Sequence, residues 1–177
     1  HRSIGVEAIK FGWDRKGECM ALGEFAYANN SNRFLAVDAL HEQPFALMGI
    51  PFDGAVTNRP GARFGPQEIR RASLMLCDGL HPLFGVSPVG HLGDAHDMRL
   101  PNASPLTQVR TLIQAQAAAL MAKHHCVFLG GDHSVTLPLL RAARAQHGEL
   151  AMVHFDAHCD TWTDHFGEPS GHGTWTY

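Results

Sequence analysis

The chain has 177 residues, 45% of them hydrophobic and 18% charged, with a formal charge of −3. That is the composition of one ordinary globular domain, or of part of a larger one. So small a negative charge offers nothing to nucleic acid or an anionic membrane, and no apolar run approaches the about 20 residues that span a bilayer.

Residues 1–43 show no clean period and hold the polar cluster "ANNSNR", so they read as an irregular N-terminal arm ahead of a single α/β domain over residues 44–177. The arm opens on His1 rather than Met and has no signal-peptide core, which suggests a processed or partial chain. "FALMGI" predicts a strand over 45–50, stopped by Pro51. A Gly- and Pro-rich loop follows over 51–66. Pro66 suits a first helical position, and Ile69, Ala72, Ser73 and Leu76 then recur at helical spacing. "PVGHLGDAHD" predicts a short strand over 86–92, ended by Gly93.

The clearest helix is expected from Thr107 to about His124, where Val109, Leu112, Ile113, Ala117, Leu120 and Met121 form one apolar stripe. "CVFL" (126–129) reads as a strand ending in Gly130-Gly131. A helix follows, with Ser134 as N-cap, Pro138 in its first turn and Gly148 as its stop. "LAMVHF" (150–155) is the next strand expected. Apolar strands of four to six residues alternating with helices are the pattern of a parallel α/β sheet.

Four cysteines, Cys19, Cys77, Cys126 and Cys159, are widely spaced and form no C-x-x-C pair. Neither a zinc ribbon nor a disulfide framework is expected, and reduced thiols in a cytoplasmic protein are the simplest reading. Histidine is the anomaly, with 13 residues, and its placement carries the information. In open parallel sheets ligands bind beyond the carboxyl ends of the strands, and two polar clusters stand there: "GGDHS" (130–134) and "DAHCD" (156–160). With period-two alternation Asp156, His158 and Asp160 share one side, and a crossover lets His133 converge on them. Crowded carboxylates call for a cation, and a mixed oxygen and nitrogen set without thiolate suits Mn2+, with Zn2+, Fe2+ or Ni2+ as alternatives. One such residue alone would be a cap or a turn residue. Two clusters on consecutive strand ends favour a metal site.

The ordered motifs "GGDHS", "HFDAHCDTW" and "SGHGT" (Ser170 to Thr174), preceded by "GIPFDGAVTNRPGARFGP", resemble the arginase/agmatinase family of ureohydrolases from about residue 44 to Tyr177. The resemblance implies a three-layer α/β/α domain around a mostly parallel sheet and a binuclear manganese site. In it His133 would bind one metal and His158 the other, Asp156 would bridge them, and Asp160 would join His133. His172 resembles the family's active-site histidine, which shuttles protons or contacts substrate. Arg59 and Arg63 are assigned to the architecture of their loop. The implied reaction is hydrolysis of a guanidinium to urea and an amine by hydroxide generated between two metals. The segment before the "HG" step, "TWTDHFGEPSGHG", has no Asn of the kind that reads arginine's amino-acid end, and His172 speaks against formiminoglutamate hydrolases. Agmatine is therefore the first substrate expected, with guanidinobutyrate, guanidinopropionate and free guanidine behind it.

The family draws its remaining metal ligands from a later D-x-D motif, and no such pair follows Tyr177. The chain thus looks like an N-terminal portion, incomplete at its C-terminus, expected to bind metal weakly and release little urea by itself. A trimer or hexamer is expected of the complete protein. Two other readings compete: a non-catalytic relative that keeps the fold as a binding or regulatory protein, and a single-zinc amide deacetylase. The intact His133, Asp156, His158 and Asp160 argue against the first. His133 together with the fourth ligand Asp160 favours two metals over the second.

Overall fold

Burial on both faces, with the adjacent Ala46 and Leu47 covered, suits β1 (Phe45–Gly49) to be the central strand of a parallel three-stranded sheet, ordered β2-β1-β3 in a computed structural model that describes residues 32–76, 79–164, 167, 169 and 171–176. Of the expected arm, residues 1–31 lie outside the described part, as do Cys19 and Cys77. Strand β3 (His125–Leu129) pairs with β1 in unbroken register from Phe45 opposite His125 to Gly49 opposite Leu129. Helices α2 (Leu106–Met121) and α3 (Thr136–His147) pack against each other. Val109, Ile113 and Ala117, one turn apart on α2, meet Ile50, Val135 and Ala142 in the core.

Strand β2 (Leu92–Asp97) starts where the sequence placed a strand's end. Val86 and Val89 are exposed, whereas Leu92, Gly93 and Asp94 are buried and pair with Phe45, Ala46 and Leu47. Gly93 does not break the strand. It fits there because a Cβ would lie 2.7 Å from the Leu40 Cα. The two aspartates of "GDAHD" serve the fold. Arg70, 2% exposed, donates from Nε to Asp94 Oδ2 (2.8 Å), from Nη2 to Asp94 Oδ1 (2.9 Å) and from Nη1 to Asp97 Oδ1 (2.5 Å). The same triad turns α1 (Gly65–Ser73) over: its buried face is Pro66, Arg70 and Ser73, while Ile69 is exposed and Leu76, beyond the helix, is exposed as well. Of the four residues expected at helical spacing, Ser73 is packed and Ile69, Ala72 and Leu76 are exposed.

The strand expected over 150–155 is the second correction. These residues join no ladder, and Val153 and Phe155 are 80% and 93% exposed. An apolar run becomes a strand only where its backbone finds a free edge and one face is buried, which fixes register. Here Leu150 and Met152 are about half exposed and Val153 and Phe155 far more so, and no residue from 150 to 155 is fully buried, so no buried face holds the run in a sheet.

Candidate metal centre

The site begins where β3 ends. Gly131 has no alternative, because a Cβ there would sit 1.8 Å from the carbonyl oxygen of Phe52 in the 51–64 loop, which accepts the Asp132 N–H at 2.8 Å. Asp132 is the cap: its Oδ1 accepts the N–H (2.9 Å) and the hydroxyl (2.5 Å) of Ser134, and its Oδ2 accepts the Ala55 N–H at 2.9 Å. Ser134, expected as the N-cap, is instead the group that Asp132 receives. This arrangement anchors the short 3-10 turn His133–Val135 that leads into α3, and with it His133.

The 51–64 loop is itself braced from within. Buried Asp53 accepts from the Gly61 N–H (2.6 Å), the Arg63 N–H (3.3 Å) and Arg63 Nε (2.6 Å), and Arg63 Nη1 reaches Asn102 at 3.4 Å. Arg63 thus does architectural work in its loop. Its guanidinium, more than any other contact, holds the Asp53 carboxyl below the usual range against the opposing effect of burial.

His133 Nδ1 lies 2.7 Å from Asp160 Oδ2 and 3.3 Å from Asp156 Oδ2, and His154 Nε2 lies 3.6 Å from Asp156 Oδ2. One ligand atom from each of these four residues falls within 4.8 Å of the other three. The structure therefore brings together three of the sequence candidates, His133, Asp156 and Asp160. His158 stands at the rim with its side chain 84% exposed, Nδ1 3.6 Å from Asp156 Oδ1. His172 sits apart from the four, its Nδ1 2.9 Å from the Ala55 carbonyl oxygen.

His154 was missed, although the signal was there. It precedes Asp156 by two residues and continues the same alternation one step upstream. Asp160 reaches the cluster through a left-handed turn (φ 53°), a conformation Asp tolerates better than most residues, rather than along a straight strand.

The donor set fits a divalent cation. Two carboxylates and two imidazoles give a mixed oxygen and nitrogen shell. His154 Nε2 is buried without a hydrogen bond among the described residues, 3.6 Å from Asp156 Oδ2, which leaves its lone pair or proton to be satisfied by an ion or a water. The Asp156 carboxyl is held below the usual carboxylate range, first by the His158 N–H donated to Oδ1 at 2.8 Å, and further by the His133 and His154 imidazoles. It is therefore ionised at neutral pH and ready to bind a cation. An open cleft of about 450 Å³ adjoins the cluster, walled by Gly130, Asp132, His133, Leu139, Phe155 and Asp156.

The Arginase family profile matches residues 43–177. An agmatinase from Chromobacterium violaceum is 42% identical over 135 residues, covering 75% of this chain and 42% of that protein. A guanidinobutyrase from Pseudomonas aeruginosa is 38% identical over 131 residues, covering 73% and 41%. The structure of proclavaminate amidino hydrolase from Streptomyces clavuligerus superposes with a TM-score of 0.72 at 34% identity, covering 84% of this chain and 51% of that one. The chain thus spans about half the length of the proteins it matches. With its α/β fold and the order of its motifs, it belongs to the arginase family.

Proposed function

We propose that the protein is a binuclear-metal hydrolase that cleaves a guanidino compound, agmatine first, into urea and an amine. The observation that carries this reading is the convergence of His133, Asp156 and Asp160, with His154, beside an open cleft. His133, Asp156, His158 and Asp160 are the proposed ligands of Mn2+, His158 swinging in from the rim. When bound, the metal pair supplies Lewis acidity that makes water a nucleophile near neutral pH.

The protein's own groups do the rest. Asp156 lines the cleft and Asp160 stands beside it in the cluster, so the site presents carboxylates toward a cationic guanidinium. The Ala55 carbonyl can only accept, so the hydrogen bond to His172 requires a proton on Nδ1 and leaves Nε2 as the basic nitrogen of the neutral ring. His172 is the proposed proton carrier to the departing amine. Phe155, almost fully exposed on the cleft wall, offers an apolar surface for the substrate's carbon chain.

Relatives named agmatinase and guanidinobutyrase support the substrate class. A cytoplasmic setting and a homo-oligomer, trimer or hexamer, belong to the same proposal, as does one catalytic domain starting near residue 44. The test is urea release by the Mn2+-loaded protein, expressed from its complete reading frame, with agmatine, arginine, guanidinobutyrate, guanidinopropionate and guanidine. Agmatine should show the highest kcat/KM. Arginine ranking first, or no urea from any of the five, overturns the proposal.

A further inference from the structure

We infer that Trp175 is a positioning residue of the metal centre, holding Asp160 and His133 in the geometry that receives the cation; the inference rests on the metal site proposed above. Trp175 is 4% exposed, and its indole Nε1–H donates to Asp160 Oδ2 at 2.7 Å, the same oxygen that faces His133 Nδ1. Its ring packs on both imidazoles of the cluster, with centroids 4.7 Å from His133 and 5.0 Å from His154. A carboxylate with one oxygen fixed by a neutral donor keeps its other oxygen oriented for a metal, the usual task of an outer hydrogen-bond partner.

The contact belongs to a wider clasp. Asp160 adopts a left-handed backbone that a non-glycine residue keeps only when its surroundings hold it there. The holding groups come from the segment that carries Trp175. The Thr176 N–H donates to the Asp160 carbonyl at 3.3 Å, and the Thr176 hydroxyl lies 2.6 Å from that oxygen and 3.0 Å from the Cys159 carbonyl. The Trp162 N–H closes the clasp on Gly173 O at 3.2 Å. Residues 173–176 therefore determine where the Asp160 carboxylate points, and Trp175 is the one side chain of the clasp that touches the carboxylate itself.

The test uses the 177-residue chain and Mn2+ alone, with affinity measured by equilibrium dialysis into the millimolar range. Trp175→Phe keeps an aromatic ring against the imidazoles and removes the N–H donor together with part of the indole. It should weaken Mn2+ binding by about 10- to 100-fold. Asp160→Asn should weaken it at least as much. Val109→Ala, a core substitution on α2, is the control for general loosening and should leave affinity within about twofold, the scale expected of independent sites. In a Trp13→Phe, Trp162→Phe background, Mn2+ should also quench the remaining Trp175 emission with the same midpoint. If Asp160→Asn leaves affinity unchanged, or the parent chain takes up no Mn2+, the metal site falls and this inference with it. If Asp160→Asn weakens binding and Trp175→Phe does not, this inference alone is overturned. Equal losses from Trp175→Phe and Val109→Ala reduce Trp175 to a core residue and overturn it too.

Discussion

Replacing Arg70 by Met should unfold much of what joins α1 to the sheet, and the damage should depend on pH in a direction that the wild type does not share. In the native chain the guanidinium is 2% exposed and gives three hydrogen bonds to two buried carboxylates. The Asp94 side chain is completely buried, and burial alone would raise its pKa. Arg70, together with the N–H groups of Phe34 and His96, outweighs that and leaves it below the ordinary value. Removing one partner of a buried ion pair typically costs about 3–5 kcal/mol, because the other charge stays behind uncompensated. Against a total stability of about 5–15 kcal/mol for a domain, that is a large fraction.

The sign of the pH effect follows from linkage. In the wild type a depressed folded pKa means that the Asp94 contribution is complete above about 3.9, the value for an exposed Asp, and is lost as pH falls through the folded value. In Arg70→Met the same carboxyl has burial without its cation, so its folded pKa moves above the unfolded one. The variant then gains stability as pH falls from 7, while the wild type does not. Urea denaturation followed by far-UV circular dichroism near pH 7 and near pH 5 reads both quantities. The gap between the two proteins should be about 3–5 kcal/mol at the higher pH and narrower at the lower. Arg70→Lys, which keeps the charge without the planar fork, should fall between them. A gap below about 1 kcal/mol near pH 7, the scale of an exposed pair, or parallel pH dependences, would refute the reasoning.

Other consequences of the same geometry are open to measurement. Asp53→Asn should free the loop that Gly61 and Arg63 brace, seen as faster amide exchange at Gly61; unchanged protection would show that the loop holds itself. Because the Asp53 carboxyl is also depressed, its contribution should be present at neutral pH and fade in acid, so the wild-type loop should loosen there and the Asn variant should not. Asp132→Ala removes the cap of the His133 turn and the tie to Ala55, and should cost about 0.5–2 kcal/mol by thermal or chemical denaturation. A cost near zero would mean that water replaces the cap. His158→Ala and His154→Ala should each weaken Mn2+ uptake by this chain, His158 as a proposed ligand that swings in from the rim and His154 as a member of the cluster. Unchanged uptake by His158→Ala in equilibrium dialysis would remove the rim histidine from the ligand set.

Local patterns were the legible part of this protein. Continuous apolar runs located β1 and β3, an apolar stripe at helical spacing located α2, and Pro and Gly punctuation located α3, because each reports a local constraint that holds whatever the partner turns out to be. The glycine pair before Asp132 and the alternation from Asp156 to Asp160 marked the site, since strand ends and tight crossings constrain residue type locally. Motif order was enough to identify the family.

Long-range pairing decided the rest. Whether "GDAHD" is a strand depends on Arg70, 24 positions before Asp94 and 27 before Asp97, because its guanidinium pairs with both buried carboxylates. Whether "LAMVHF" is a strand depends on a neighbouring edge, which no periodicity can report. The alternation that singled out Asp156 also holds for His154, but only the folded chain shows that His154 enters the cluster while His158 stays outside. Trp175 carried no signal at all, for its meaning is one hydrogen bond to a carboxylate 15 residues away. A sequence shows which faces want burial and which groups want a cation. Which groups meet depends on how a chain with left-handed turns and buried charges closes on itself, and that is a property of the tertiary structure.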